Sequence, residues 1–229
     1  MTLAYQLFTG SIKGITQLLC EIDGAELGRV PAQGPLILAA NHVNFIEVPI
    51  LYTQLLPRPV TGYVKSENQG QLIGRLLFDL WGGIPLRRGE ADVEAVRKGL
   101  EALEQGKILA IAPEGTRSGD GSLQRAHPGI VLLALKSGAP ILPLAYHGAE
   151  NYRQNLARLR RSPFRITVGR PFYLHANGTR VTREVRQHMA DEIMYQIAAL
   201  LPPAYRGVYS DGSASPPLYV RFRDQSATE

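Results

Sequence analysis

The sequence predicts an α/β fold: a layered sandwich whose mostly parallel central sheet is flanked by helices, with an N-terminal amphipathic helical segment ahead of it. Three observations lead there. Short apolar, β-rich stretches alternate with helical patterns along the chain, which is the signature of an α/β layer architecture. One of the helical patterns is unusually complete, with a cap at each end. The chain has 229 residues, 45% hydrophobic and 20% charged. That is ordinary globular composition, long enough to bury a core without disulfides or a structural metal.

In chain order, residues 1–23 carry Leu3, Leu7, Ile12, Ile15 and Leu19 at helical spacing, with Gln6, Lys13 and Gln17 away from them and Gly10 and Gly14 loosening the run. Two readings remain open: a helix packed on the core, or an amphipathic segment in a membrane interface. Strands are expected at 35–40, 60–64, 84–86, 107–112, 141–146 and 164–168. Between the third and fourth, residues 92–104 place Val93, Val96, Leu100 and Leu103 at spacings of 3, 4 and 3, with Asp92 as N-cap and Gly106 past the end. A second helix is expected from Val185, Met189, Ile193, Ile197 and Leu200, stopped by Pro202 and Pro203. Trp81 with Gly82 and Gly83 reads as a packed turn, and 202–229 as an irregular tail. Residues 24–201 then form one domain, the simpler reading at about 150 residues per domain.

Composition narrows the function. Cys20 is the only cysteine, so no internal disulfide is possible. The longest apolar runs, near 129–135 and 138–146, fall well short of the about 20 residues of a transmembrane helix, and the first twenty residues lack a signal-peptide pattern. The chain therefore reads as soluble or peripheral. Its net charge of +5 favours anionic partners. Between Asn151 and Arg183 there are eight arginines and no Asp or Glu, either a solvated surface or a face toward an anionic membrane. Nucleic acid is disfavoured, because no zinc-finger spacing, RNA-binding aromatic signature or basic heptad segment is present. Nucleophile-elbow, phosphate-loop, dinucleotide and zincin motifs are also missing, and no two of the five histidines have the spacing of a zinc pair.

Two segments stand out, each directly after an expected strand. In Asn41-His42-Val43-Asn44-Phe45-Ile46-Glu47 a histidine is followed five residues later by a carboxylate. Such a histidine serves as a general base when a carboxylate fixes its tautomer. Residues five apart do not share a helix face, so His42 and Glu47 meet only through an irregular turn. In Pro113-Glu114-Gly115-Thr116-Arg117-Ser118 a glycine, a hydroxyl and a guanidinium fork could cradle a phosphate; a polar turn of the same composition is the plainer alternative. His127, His147, His175 and His188 read as turn or surface residues.

Together with Gly83-Ile84-Pro85-Leu86-Arg87-Arg88 and Ala139-Pro140-Ile141-Leu142-Pro143-Leu144, these blocks, in this order, resemble the glycerolipid acyltransferase family, best known for its 1-acylglycerol-3-phosphate O-acyltransferases. The likeness runs from about Gly24 to Gly148. It implies that 24–201 is an acyltransferase domain, with His42 as the base and Glu47 orienting it. Arg88, Gly115, Thr116 and Arg117 would form the acceptor site, with Lys65 as a further cation; Glu114 belongs to the same site, but a carboxylate repels a phosphate, so its role would be to orient Arg117 or a backbone donor. It also implies acyl-CoA or acyl carrier protein as donor, a lysophospholipid as acceptor, no metal or other cofactor, and a peripheral place on the cytoplasmic face of an anionic membrane. One position departs from the family pattern. The acid is usually Asp, and Glu47 is one methylene longer, so the turn must shift to bring its carboxylate to the imidazole. Another lipid acceptor, or a catalytically silent lipid-binding module of the same fold, would also account for these residues.

Overall fold

The computed structural model describes residues 3–65, 80–87, 92–212 and 216–222, the side chains of Leu3, Ala4 and Lys65 excepted. Its elements are α1 (Leu3–Leu19), β1 (Cys20–Asp23), β2 (Leu36–Ala40), α2 (Glu47–Gln54), β3 (Val60–Lys65), β4 (Ile84–Leu86), α3 (Val93–Glu104), β5 (Ile108–Ile111), α4 (Gly129–Ser137), β6 (Ile141–His147), α5 (Tyr152–Ala157), β7 (Ser162–Val168), β8 (Phe172–Leu174), α6 (Arg183–Ala198) and β9 (Val220–Phe222), with short 3-10 turns at Ala25–Arg29, Pro203–Tyr205 and Gly207–Tyr209. The sheet runs β1-β7-β6-β2-β5-β3-β4, with β8 beside β6 and β9 beside β8. Its centre, β6-β2-β5-β3-β4, is parallel throughout. β7 runs antiparallel to β6, and β1 parallel to β7.

β2 lies in the middle and is buried along its whole length, as a parallel strand covered on both faces must be. Its side chains alternate between two cores. Ile37 and Ala39 join Leu103, Ile130, Met189 and Ile193 under α3, α4 and α6. Leu36, Leu38 and Ala40 join Ile46, Ile50 and Tyr146 under α2 and the inward side of α1. The layered α/β sandwich expected from the sequence is therefore the observed one.

Local chemistry explains the main helices. Asp92 accepts the N–H of Ala95 at 3.0 Å and caps α3, and Gly138, at φ +63°, ends α4 in the left-handed conformation glycine allows. Of the expected stripe on α3, Leu103 is buried and Val96 and Leu100 pack against the core, but Val93 is 75% exposed; Ala95, Gly99 and Ala102 complete the inward face. Small residues serve there because the Tyr63 ring lies against the helix and its hydroxyl donates to the Ala95 carbonyl at 3.2 Å; a Cβ on Gly99 would collide with that hydroxyl.

The terminal segments depart further from expectation. α1 has two apolar sides rather than one. Ile12 and Leu19 face the core with Thr9 and Thr16, whereas Leu7, Phe8, Ile15 and Leu18 face outward. Residues 20–23 do not belong to a separate N-terminal segment, because they form β1 at the end of the sheet. The stretch after Leu201 is not irregular throughout: it makes two 3-10 turns and then β9, which pairs with β8. What holds it is the buried carboxylate of Glu192 on α6, which accepts the N–H groups of Leu218, Tyr219 and Val220 at 2.7, 2.9 and 3.1 Å. Among the described residues no helix is long and apolar enough to cross a membrane.

In Glu192→Gln one acceptor oxygen becomes an amide nitrogen, which leaves a buried N–H unpaired at a cost of about 1–3 kcal/mol. Thermal unfolding should show the melting temperature lowered by several degrees; an unchanged value would remove Glu192 as the anchor of the C-terminal segment.

Candidate active site

β2 and β5 are parallel neighbours with Leu36 opposite Ile108 and Ala39 opposite Ile111. They therefore end together, and the residues that follow them, from Asn41 and from Ala112, emerge side by side at the carboxyl edge of the sheet, where α/β proteins build their sites. Asn41 secures the first loop to the next strand over: its amide accepts the Tyr146 N–H at 2.8 Å and donates to the Tyr146 carbonyl at 2.9 Å. Asn44 donates to the Ala149 carbonyl and accepts the Ile46 N–H, which starts α2.

The turn between them brings His42 and Glu47 together. Glu47 is the first residue of α2, His42 precedes the turn, and Nδ1 lies 2.9 Å from Glu47 Oε2. The other oxygen, Oε1, accepts the N–H groups of Val43 and Asn44 at 2.9 and 2.7 Å. One carboxylate thus closes the loop and orients the ring, and the extra methylene of glutamate is absorbed in that closure. A carboxylate can only accept, so the imidazole proton sits on Nδ1 and the lone pair on Nε2. The His42 side chain is 22% exposed and that of Glu47 3%, which leaves the ring in reach of a substrate and its partner out of water.

The second loop is tied to the first along its backbone. Ser118 N–H donates to the His42 carbonyl at 2.8 Å and Gly119 N–H to that of Val43 at 3.1 Å. Glu114, placed in the acceptor loop and expected to orient Arg117 or a backbone donor, turns inward and takes the second of these roles. It is 2% exposed, its Oε1 accepts the His42 N–H and its Oε2 the Gln124 N–H, both at 2.9 Å. It bridges the two loops instead of facing the opening. Burial pushes its carboxyl up to about 7, with the negative charges of Glu47 and Asp120 adding to the effect and the two N–H donors opposing it.

Gly115 sits at φ +66°, and a Cβ there would meet the His127 ring at 2.7 Å, so both conformation and space require glycine. Thr116 is half-buried and Arg117 exposed, with its guanidinium over the Phe45 ring at 5.9 Å. Gly115, Thr116 and Arg117 are therefore brought beside His42. Lys65 ends β3 on the same sheet edge, its side chain outside the described residues, as is Arg88 altogether. Arg87 is described and turns to Asp92.

Sequence reasoning missed the brace on the far side of this loop. Tyr205, Gly207 and Tyr209 meet it at three successive points. The Tyr205 carbonyl accepts the Leu123 N–H and its ring covers Gly121; the Val208 N–H donates to the Leu123 carbonyl where Gly207 lies against that backbone; and Tyr209 Oη accepts the Ala126 N–H at 3.0 Å while donating to Asp191. His127, next to Ala126, is thereby held on Gly115. The tyrosines carry no motif that would have announced this, because their partners lie about 80 residues away in the chain.

The fold and site define an α/β protein with a histidine–carboxylate pair at the carboxyl edge of a parallel sheet, beside a glycine-threonine-arginine loop. The family model described as Acyltransferase matches residues 22–147, more than half the chain, and the chain belongs to that acyltransferase family. Among its relatives, the lyso-ornithine lipid O-acyltransferase of Pseudomonas aeruginosa is 30% identical over 138 residues, 60% of this chain and 50% of that one. The 1-acyl-sn-glycerol-3-phosphate acyltransferase of Bacillus subtilis is 25% identical over 171 residues, 74% of this chain and 82% of that one. The chain thus spans half of the first relative and most of the second. The crystal structure of the 1-acyl-sn-glycerophosphate acyltransferase of Thermotoga maritima shares the fold, with a TM-score of 0.60 at 21% identity, over 86% of this chain and 80% of that one.

The raised carboxyl of Glu114 has a defined sign. Its neutral form is favoured in the fold, so its contribution to stability is full below the ordinary value near 4.5 and is lost as pH rises through about 7. The difference in unfolding free energy between wild type and Glu114→Gln should therefore shift by on the order of 3 kcal/mol against wild type between pH 4.5 and 8. Denaturant titrations across that range that gave a constant difference would mean that Glu114 is not buried as described.

Proposed function

We propose that the chain transfers a fatty acyl group from acyl-CoA or acyl carrier protein to the free hydroxyl of a lysophospholipid, 1-acylglycerol-3-phosphate by first preference. The observation that carries this reading is the His42–Glu47 pair, with Nε2 left as the basic nitrogen beside Gly115, Thr116 and Arg117. In the proposed reaction Nε2 takes the proton of the acceptor hydroxyl as its oxygen attacks the thioester carbonyl carbon. The tetrahedral centre collapses with loss of the C–S bond, and the thiolate leaves with the proton returned by the imidazolium. The products are an ester and a free thiol. Glu47 stabilises the imidazolium formed on the way. Arg117, with Arg88, supplies the planar donors that suit a phosphate, the Gly115 backbone allows it to approach, and Lys65 adds positive charge at the same edge. The scheme uses no metal or further cofactor. Glu114 acts by holding the His42 backbone and not by touching substrate.

The acceptor has a second reading. The Pseudomonas aeruginosa relative is named for a lyso-ornithine lipid, so an acylated amino-acid lipid is the alternative to the phosphate-bearing acceptor, and screening both acceptors separates them.

His42→Ala should lower acyl transfer by about 10²–10⁴ with the fold intact, as loss of a positioned general base does. Glu47→Asp should also slow the enzyme, since its carboxylate already reaches both Nδ1 and two N–H groups. Transfer of a labelled acyl group measures both. Near wild-type rates in His42→Ala would sink the assignment, and no transfer by wild type to either acceptor would favour a silent lipid-binding module.

The proposal includes a peripheral place on the cytoplasmic face of an anionic membrane. Supporting it are the four large apolar side chains that α1 turns outward, Leu7, Phe8, Ile15 and Leu18, in a helix whose other side is already packed. Replacing all four with Ser should abolish flotation with phosphatidylglycerol vesicles and leave the far-UV spectrum unchanged. Flotation equal to wild type would remove α1 as the anchor.

A further inference from the structure

The turn between α5 and β7 contains a residue that is hard to account for by folding. Leu159 is 94% exposed and has φ +53°. It occupies the left-handed position that ends α5: the Arg160 N–H reaches back to the Asn155 carbonyl at 2.8 Å and the Leu159 N–H to that of Leu156 at 3.0 Å. Glycine or asparagine normally fills this position, because a Cβ is strained there. A leucine contributes strain and exposed apolar surface to the folded state and buries nothing in return. Its neighbours are Arg158, Arg160 and Arg161, all exposed, with Leu156 half-exposed just before them.

The sheet places this turn in a telling position. Cys20 of β1 stands opposite Ser162 of β7, so the residues just before each, Leu18 on one side and 158–161 on the other, emerge together. Arg161 joins them by donating to the carbonyls of Gln17 and Cys20 at 2.9 and 2.7 Å, and Leu18 is 73% exposed beside it. β7 is antiparallel to β6 with Arg165 opposite His147, so the start of β7 lies at the carboxyl end of β6. That is the edge from which His42 projects.

From this arrangement we infer that the 158–161 turn is a second membrane contact, in which Leu159 inserts among the lipids while Arg158 and Arg160 meet anionic head groups. The inference rests on the peripheral-membrane reading above and adds an orientation to it. With Leu18 and Leu159 both at the His42 edge of the sheet, docking turns the mouth of the site toward the bilayer that holds the acceptor. An apolar tip between cations is the chemistry of an anionic lipid surface; a free phosphate would have no use for an inserting leucine on a strained backbone.

The test uses the full chain and sedimentation with vesicles of phosphatidylcholine alone or mixed with phosphatidylglycerol. Leu159→Asn and Leu159→Gly suit the left-handed backbone better than leucine does, so their melting temperatures should equal or exceed wild type while partitioning into mixed vesicles falls roughly tenfold. Arg158→Glu with Arg160→Glu should cut the preference for mixed over phosphatidylcholine vesicles by roughly tenfold or more. A lost melting temperature without lost partitioning would make Leu159 a folding residue and overturn the inference. Wild-type partitioning that depends on the outward face of α1 but is untouched by either set of variants would overturn it and leave the α1 anchor standing. Wild type that fails to sediment with either vesicle would overturn both.

Discussion

The site depends on the parallel pairing of β2 with β5. Because Ala39 stands opposite Ile111, two segments more than 60 residues apart in the chain leave the sheet at the same height and in the same direction. Everything that follows makes this coincidence rigid. Ser118 and Gly119 pair their N–H groups with the carbonyls of His42 and Val43, and the Glu114 carboxylate spans from the His42 N–H to that of Gln124. A shift of one residue in the register would move every side chain of β2 to the opposite core and carry His42 away from the loop beside it. Since misplacement of about 1 Å can cost on the order of a hundredfold in rate, the register sets the geometry and the buried bridge limits its drift.

Glu47 shows how two demands fall on one group. It stands at the N-terminal turn of α2, where the helix favours negative charge, and it divides its oxygens between the chain and the imidazole. A carboxylate bound only to His42 could rotate; one that also accepts two N–H groups is fixed in the plane the ring needs. Glu114 solves a harder version of the problem. Among the described residues it meets backbone donors and two neighbouring carboxylates, and its raised pKa records the mismatch. It supplies the one acceptor that joins the two loops, and the cost falls on stability.

How much of this was legible in the sequence follows from range. The central strands were readable because a parallel strand buried on both faces is an unbroken apolar run, as Leu36–Ala40 is. β8 and β9 have only three residues each, and their pairing joins segments more than forty residues apart, so no local pattern marks them. On α3 the apolar period gave Val96, Leu100 and Leu103, but not the part of the inward face made by Ala95, Gly99 and Ala102, a choice imposed by the Tyr63 ring from another element. On α1, counting apolar residues could not separate a side packed on the core from one turned outward. The His42–Glu47 pair was found from its residue types and its place after a strand, but the turn that unites them required Asn44 to begin α2 with its own side chain. That Glu114 would orient a backbone donor and not touch a phosphate followed from its charge, but which donors it meets could not be read, because the N–H groups of His42 and Gln124 carry no sequence signal.

The C-terminal segment supports the site from outside the residues that the family model matches. The match to the family ends at residue 147, yet the loop bearing Gly115, Thr116 and Arg117 is held from behind by Tyr205, Gly207 and Tyr209. Gly207 is the tightest of these points: at φ +50° its Cα lies so close to the Leu123 backbone that any Cβ would overlap it. Tyr209 reaches farther, with one hydroxyl that accepts from Ala126 and donates to Asp191 of α6, which couples the loop to the helix that anchors the last strand through Glu192. A site whose chemistry sits on two strand ends thus has a third support, supplied by residues about 80 positions further along the chain. The motif-bearing residues specify what the site can do, and the packing of residues 205–209 decides how firmly one of its two loops is held while doing it.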